Sequence, residues 1–386
     1  MILPKSNWPK YDGKLIKNLI QIYKSGNVNY LFGKWGGVFE NEFSKIHNNK
    51  YSIAVSNGTV GLELALEAFD FNKDDEVIVT PRSYFSSASC IIRNNLKPAF
   101  ADIDLNTHNI SPADIEKKIT SKTKCIICVH LGGNPCDMPK IVQIAKKNKL
   151  KVIEDCSQAH GAKIGNKLVG SFGDISVWSF CNDKIISTLG EGGMISTNSK
   201  ILYEKLWSLK DIGKNIRKFY LPSKEKFGFK WIHDFVGTNA RLTETQSFAG
   251  YYQLGLLNFY ISQRRKNAEF IENQLKTLPC FIFQKLPDNY YRVFYRFNFL
   301  FNPNYNSKKI SRNIILKKLN NKISIKEGSC PEIYKEKYFF NHYHFKCLNA
   351  EFIGKNSLSL QVDHTIKKNN LVKTISILKS FVLRSL

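Results

Sequence analysis

Short β-rich apolar runs alternate with amphipathic stretches through the first two thirds of the chain. The runs DEVIVTP (75–81), KPAFADID (97–104), KCIICVHL (124–131), KVIEDC (151–156), DISVWSF (174–180) and GGMIST (192–197) predict strands, as does YSIAV (51–55). Between them, TVGLELALEAF (59–69) and MPKIVQIAKKNKL (138–150) repeat apolar residues at helical spacing. That alternation predicts an α/β fold, a mostly parallel sheet with helices on both faces. One long helical pattern then covers 243–278, followed by aromatic strand-like runs at 290–301 and a final helix near 366–382. The pattern divides the chain into a large α/β domain over 1–249 and, over 250–386, a long connecting helix with a smaller α+β domain.

Composition narrows the class. With 386 residues, 43% of them apolar and 23% charged, the chain has ample core to bury and no signature of disorder. No apolar run is long enough to span a bilayer, and the opening MILPKSNWPKYDG lacks a signal-peptide apolar region, so a cytoplasmic protein is expected. The formal charge of +25 invites a nucleic-acid partner. The lysines are scattered, however, through NKKISIKEG, IKKNNLVK and SKEKFGFKW, without the motifs that accompany nucleic-acid recognition, and none is expected. Of the nine cysteines, Cys125 and Cys128 form a CIIC pair, but in a strand residues three apart face opposite ways. No second pair follows at zinc spacing, so the cysteines are expected to be reduced core residues and no metal site is expected.

Chemistry gathers at four strand ends. After YSIAV, Ser56-Asn57-Gly58-Thr59 opens a helix whose free N–H groups and dipole suit a phosphate; an ordinary capped helix start reads the same way. Glu154 and Asp155 close a strand at the carboxyl end where α/β folds bind ligands. A carboxylate there serves as metal ligand, helix cap or partner of a cationic ring nitrogen; Gln158 and His160 follow it. Lys184 comes five residues after Ser179 and just before Gly190, Gly192 and Gly193. Keeping an unshifted lysine neutral at pH 7 costs about 4.6 kcal/mol, and burial or a nearby cation reduces that cost by depressing its pKa. Such a lysine is a Schiff-base nucleophile; otherwise it is a loop lysine paired with Asp183. Finally, Tyr84 and Phe85 in TPRSYFSSAS offer a ring to stack on a planar ligand, or simply core. A phosphate nest, a stacking ring, a carboxylate for a ring nitrogen and a reactive lysine together meet the demands of pyridoxal phosphate.

In order and spacing, NGTVGLELAL, DEVIVTP, PAFADID, VIEDCSQAHGA, GSFGD, SFCNDKIISTLGEGG and GTNARLTETQSFAG resemble the DegT/DnrJ/EryC1/StrS sugar aminotransferases. The resemblance implies a fold-type I pyridoxal-phosphate enzyme with a seven-stranded, mostly parallel sheet in its large domain. It implies that Lys184 carries the cofactor and shuttles protons, that Asp155 pairs with the pyridine nitrogen and that Gln158 contacts the ring oxygen. Gly58, Thr59 and Ser179 would hold the phosphate, Tyr84 would stack on the ring, and Asn239 would reach the phosphate from the partner subunit of a homodimer. The implied reaction moves an amino group from L-glutamate to a nucleotide-linked keto-deoxy sugar, for O-antigen or a related polysaccharide. Relatives with histidine in place of the lysine are dehydratases; Lys184 favours transamination. Cys181 and Asp183 depart from the family's usual turn and gain no role, nor do side chains of GSCPEIYKE (328–336), which is similar to a subgroup segment near the substrate mouth.

Overall fold

The structure, a computed structural model, describes residues 2–221, 228, 230–305, 310–329 and 332–385. Part of SKEKFGFKW and two residues of GSCPEIYKE, Cys330 among them, lie outside these.

The predicted strands assemble into a seven-stranded sheet in the order Tyr51–Val55, Gly193–Thr197, Ile175–Ser179, Lys151–Asp155, Thr123–Val129, Glu76–Val79, Lys97–Phe100. Only Gly193–Thr197 runs against its neighbours; the pairings from Ile175–Ser179 through to Lys97–Phe100 are all parallel. The central strands are buried along nearly their whole length, which is why they read as unbroken apolar runs. Cys125 packs with Val77 and Ile127 on one face, and Cys128 with Ile126 and Met138 on the other, as strand geometry requires. The cysteines among the described residues are free.

Two expectations fail in detail. The long pattern at 243–278 is two helices, Glu244–Leu254 and Leu257–Leu275. Leu256, at φ −101° and ψ 0°, steps out of helical geometry between them. The aromatic run at 290–301 is likewise broken: Tyr290–Tyr291 joins a small three-stranded sheet, and Phe297–Phe301 joins a four-stranded one with Phe281–Phe283, Ser357–Leu360 and Ile325–Lys326. Between them Phe294 sits at φ 53°. That left-handed turn is held from a distance, because the buried Arg264 guanidinium donates to the carbonyls of Phe294 at 3.5 Å and Tyr295 at 3.0 Å. The final helix runs Lys368–Ser385.

Candidate functional site

The carboxyl ends of the parallel strands open into a cleft of about 1400 Å³, walled on its far side by residues of the four-stranded sheet and the helix Arg312–Leu319. Gly58, Thr59, Tyr84, Asp155, Gln158, Ser179 and Lys184 all line it. Asn239 does not line this cleft; it lies on the exposed surface, bridged to Asp211.

The helix Gly58–Glu67 starts at one end of the cleft, capped by the Asn57 side chain, which accepts from Val60 N at 2.9 Å. The chain is pressed tightly there. A Cβ on Gly58 would lie 2.9 Å from Ser179 Cβ, and one on Gly193 would lie 2.6 Å from the carbonyl carbon of Asn57. The glycines thus bring helix start and strand end together, leaving a cradle of backbone N–H groups beside the Ser179 and Thr59 hydroxyls. Ser179 Oγ also accepts from Cys181 N at 3.3 Å.

Asp155 is only 5% exposed. Its Oδ2 accepts from Ser87 Oγ at 3.1 Å and its Oδ1 from Ser157 N at 3.1 Å, so the carboxylate is aimed by short local bonds. Gln158 accepts from Gly132 N at 2.7 Å through its Oε1. Glu154 points the other way. It accepts from Gly170, Phe172 and Gly173 N–H groups at 2.8, 2.7 and 2.7 Å and faces His130 Nε2 at 3.1 Å. His130 Nδ1 accepts from Cys136 N at 3.0 Å. His130, Glu154 and Cys156 stand close enough to suggest a metal site, but the imidazole and carboxylate are already committed to this network. His160 packs between Trp178 and Phe180, and burial, reinforced by His47 and Lys184, holds its pKa well below the usual histidine value.

Of the two adjacent rings, Phe85 leans on Phe339 at 5.5 Å, while Tyr84, 69% exposed, stands at the cleft mouth. Packing therefore separates two residues that sequence alone left side by side.

Lys184 closes the turn 181–184, its N–H donating to Cys181 O at 3.0 Å. Its side chain is 14% exposed, with Nζ 3.8 Å from Asp183 Oδ1 and 4.9 Å from the centre of the Tyr295 ring. Tyr295 OH donates to Asp183 Oδ2, and the Arg296 guanidinium lies 3.6 Å from the same oxygen. The expected depression of the lysine pKa is not found. Burial pulls it down, but Tyr295, Asp183 and Asp155 outweigh burial and raise it. The nearest guanidinium, that of Arg296, sits against Asp183, whose own carboxyl is held low: burial raises it, and Lys184, Tyr295 and Arg296 more than compensate. Asp183, Tyr295 and Arg296 are thus site residues that sequence reasoning left without a role. Asp183 carried a visible signal in its position next to Lys184. Tyr295 and Arg296 carried none, being hidden in an aromatic run that reads as strand.

The family model of the DegT/DnrJ/EryC1/StrS aminotransferase family matches residues 9–379. The chain belongs to that family. It is 43% identical over 240 residues to a GDP-perosamine synthase of Escherichia coli O157:H7, a match covering 62% of this chain and 63% of that enzyme's length. An aminotransferase from Psychrobacter cryohalolentis superposes with a TM-score of 0.95 at 35% identity, covering 99% of this chain and 100% of that one. An E. coli GDP-4-keto-6-deoxy-D-mannose-3-dehydratase, solved with bound hydrated pyridoxal phosphate, matches at a TM-score of 0.87 and 26% identity, over 99% of this chain and 100% of its own. With these likenesses the fold is that of the fold-type I pyridoxal-phosphate enzymes.

Proposed function

We propose that this chain is a pyridoxal-phosphate-dependent aminotransferase that moves an amino group from L-glutamate to a nucleotide-linked keto-deoxy sugar. One observation carries the reading: Lys184 Nζ, the Asp155 carboxylate and the glycine-cradled helix start at Asn57-Gly58-Thr59 face a single cleft. The close approach that Gly58 and Gly193 allow sets the helix-start N–H groups beside the Ser179 and Thr59 hydroxyls, an arrangement suited to the cofactor's phosphate. Bound there, pyridoxal phosphate supplies the electron sink through which the amino group is exchanged.

The protein's part is to bind, orient and move protons. Thr59 and Ser179 hydroxyls and the helix N–H groups hold the phosphate. Asp155, fixed by Ser87 and Ser157, holds a proton on the ring nitrogen, and Gln158 faces the ring oxygen. Tyr84 covers the ring from the cleft mouth. Lys184 Nζ takes a proton from the donor's α-carbon and returns one to the sugar carbon, with Asp183 and Tyr295 keeping the amine in place.

Lys317 and Lys326 on the far wall, with Arg296 beside Asp183, suit an acceptor carrying a diphosphate. The same reading assigns Asn239 to the phosphate of the partner's site in a homodimer. The exposed Trp231 (73%) and Val236 (91%) near it supply apolar surface for a second copy to cover. Amino-sugar synthesis for O-antigen or a related polysaccharide, in the cytoplasm, is the setting this substrate implies; no helix among the described residues is long and apolar enough to cross a membrane. The division at residues 249 and 250 belongs to the same reading.

The test is incubation with isotopically labelled L-glutamate and GDP-4-keto-6-deoxy-D-mannose. A nucleotide-linked amine carrying the label is expected. A deoxygenated sugar without nitrogen would move the enzyme to dehydration, a reading that Lys184 disfavours.

A further inference from the structure

The segment before the first helix crosses from the small sheet to the back of the lysine. Leu3 N donates to Lys322 O at 3.0 Å, next to the strand Ile325–Lys326. Asn7 N donates to Thr365 Oγ1 at 2.9 Å. The Trp8 indole N–H then donates to the main-chain oxygen of Lys184 at 2.8 Å, across 176 residues of sequence. Three residues on, Tyr11 OH lies 3.3 Å from Ser187 Oγ, on the chain that follows the lysine. Asp12 closes the strap. Its Oδ1 caps the helix Gly13–Ser25 at Leu15 N, and its Oδ2 accepts from Tyr252 OH at 2.7 Å.

The Trp8 ring is itself fixed. It packs edge-on to Tyr260 at 5.3 Å and to His364 at 4.9 Å, and those two rings stack at 4.1 Å. An indole N–H is a donor only, with a rigid ring behind it, so a packed ring delivers that donor to one fixed point. The point chosen is the carbonyl of the residue whose amine faces the cleft from the other side. Lys184 closes a turn, and no strand pairing holds it; the indole supplies from behind the restraint that sheet bonding would give.

We propose that Trp8 is a positioning residue for Lys184: the strap over residues 3–12 holds the lysine's main chain, tying it to the small sheet through Lys322 and Thr365 and to Tyr260 and His364. The inference rests on the assignment of Lys184 as the reacting amine. A fixed backbone keeps Nζ in register with the carbons between which it moves protons, where small misplacements are costly.

The experiment is Trp8→Phe, which keeps a ring but removes the donor. Hydrogen exchange of the holoenzyme is read without substrate, alongside steady-state kinetics. Exchange over 181–188 is expected to rise about tenfold, the size of one lost hydrogen bond, with other segments unchanged. The turnover number is expected to fall about tenfold, while KM for each substrate stays within about twofold. Wild-type exchange over 181–188 with wild-type turnover overturns the proposal, and so does faster exchange spread over the whole chain, which marks Trp8 as a general stabiliser. If the variant does not fold, Tyr11→Phe carries the test: exchange raised only over 181–188 supports the strap, and wild-type exchange overturns it. Because exchange needs no substrate, a protein that fails to transaminate yet shows the local change refutes the functional reading and leaves the strap standing.

Discussion

Asp183 shows how one side chain changes the chemistry of its neighbour. Its carboxylate accepts from Tyr295, lies near Arg296 and stands 3.8 Å from Lys184 Nζ, and its charge is among those that raise the lysine pKa against burial. Tyr295, Asp155 and Cys181 act in the same sense. Removing one negative charge favours the neutral amine, so Asp183→Asn lowers the lysine pKa. The reaction of apoprotein with added pyridoxal phosphate depends on the free amine. Its fast phase, identified by its absence in Lys184→Ala, should reach half-maximal rate about one pH unit lower in Asp183→Asn than in wild type. An unchanged or higher midpoint would show that Asp183 does not govern the proton on Lys184.

At the scale of elements, the site depends on a strand and a helix start that abut more closely than side chains permit. The hydrophobic run and glycine cluster made both elements legible, because a strand buried on both faces reads as a continuous apolar stretch and a helix opening reads as Asn-Gly-Thr. What sequence did not reveal is their contact: Gly193 touches Asn57 from 136 positions away. Gly193→Ala presses a methyl group against the Asn57 and Gly58 backbone, with no flexible side chain to yield. It should cost about 1–3 kcal/mol in denaturant unfolding and weaken pyridoxal-phosphate binding by at least about tenfold. Wild-type values of both would mean that the cradle relaxes freely. The two misread elements have different causes. The helix break before Leu257 falls at Gly255, the cap residue of Glu244–Leu254, a local signal that the apolar periodicity overrode; the bend at Phe294 is instead held by Arg264, 30 residues away. Local pattern does not encode a bond made at such separation. Tyr295, Arg296 and Trp8 were illegible for that reason, whereas Asp155 and Gly58 sit at a strand end and a helix start that their own neighbours define, and Lys184 sits in the turn just before a glycine cluster.

At the scale of the whole molecule, the parallel sheet and the four-stranded sheet meet at one cleft: Asp155 and Ser179 come from strand ends of the first, Lys326 from a strand of the second and Lys317 from the helix Arg312–Leu319. The charge of +25 is dispersed, yet Lys317 and Lys326 line the far wall of the cleft, and Arg296 lines it beside Asp183 and Lys184. A basic wall opposite a basic amine favours anionic substrates on both sides of a two-stage exchange, an amino acid with two carboxylates and a sugar with a diphosphate. It also explains why net charge alone was a poor guide: what matters is which few cations converge on the cleft. The central claim, that this cleft runs the exchange through bound pyridoxal phosphate with glutamate as donor, is tested most directly by the visible absorption spectrum of the protein, loaded with the cofactor, before and after adding L-glutamate. The cofactor band is expected to bleach on glutamate as the band of the aminated cofactor appears, and to return when a keto-sugar nucleotide is added. The absence of any protein-bound band after supplying pyridoxal phosphate, or a band that glutamate leaves unchanged, would contradict that claim.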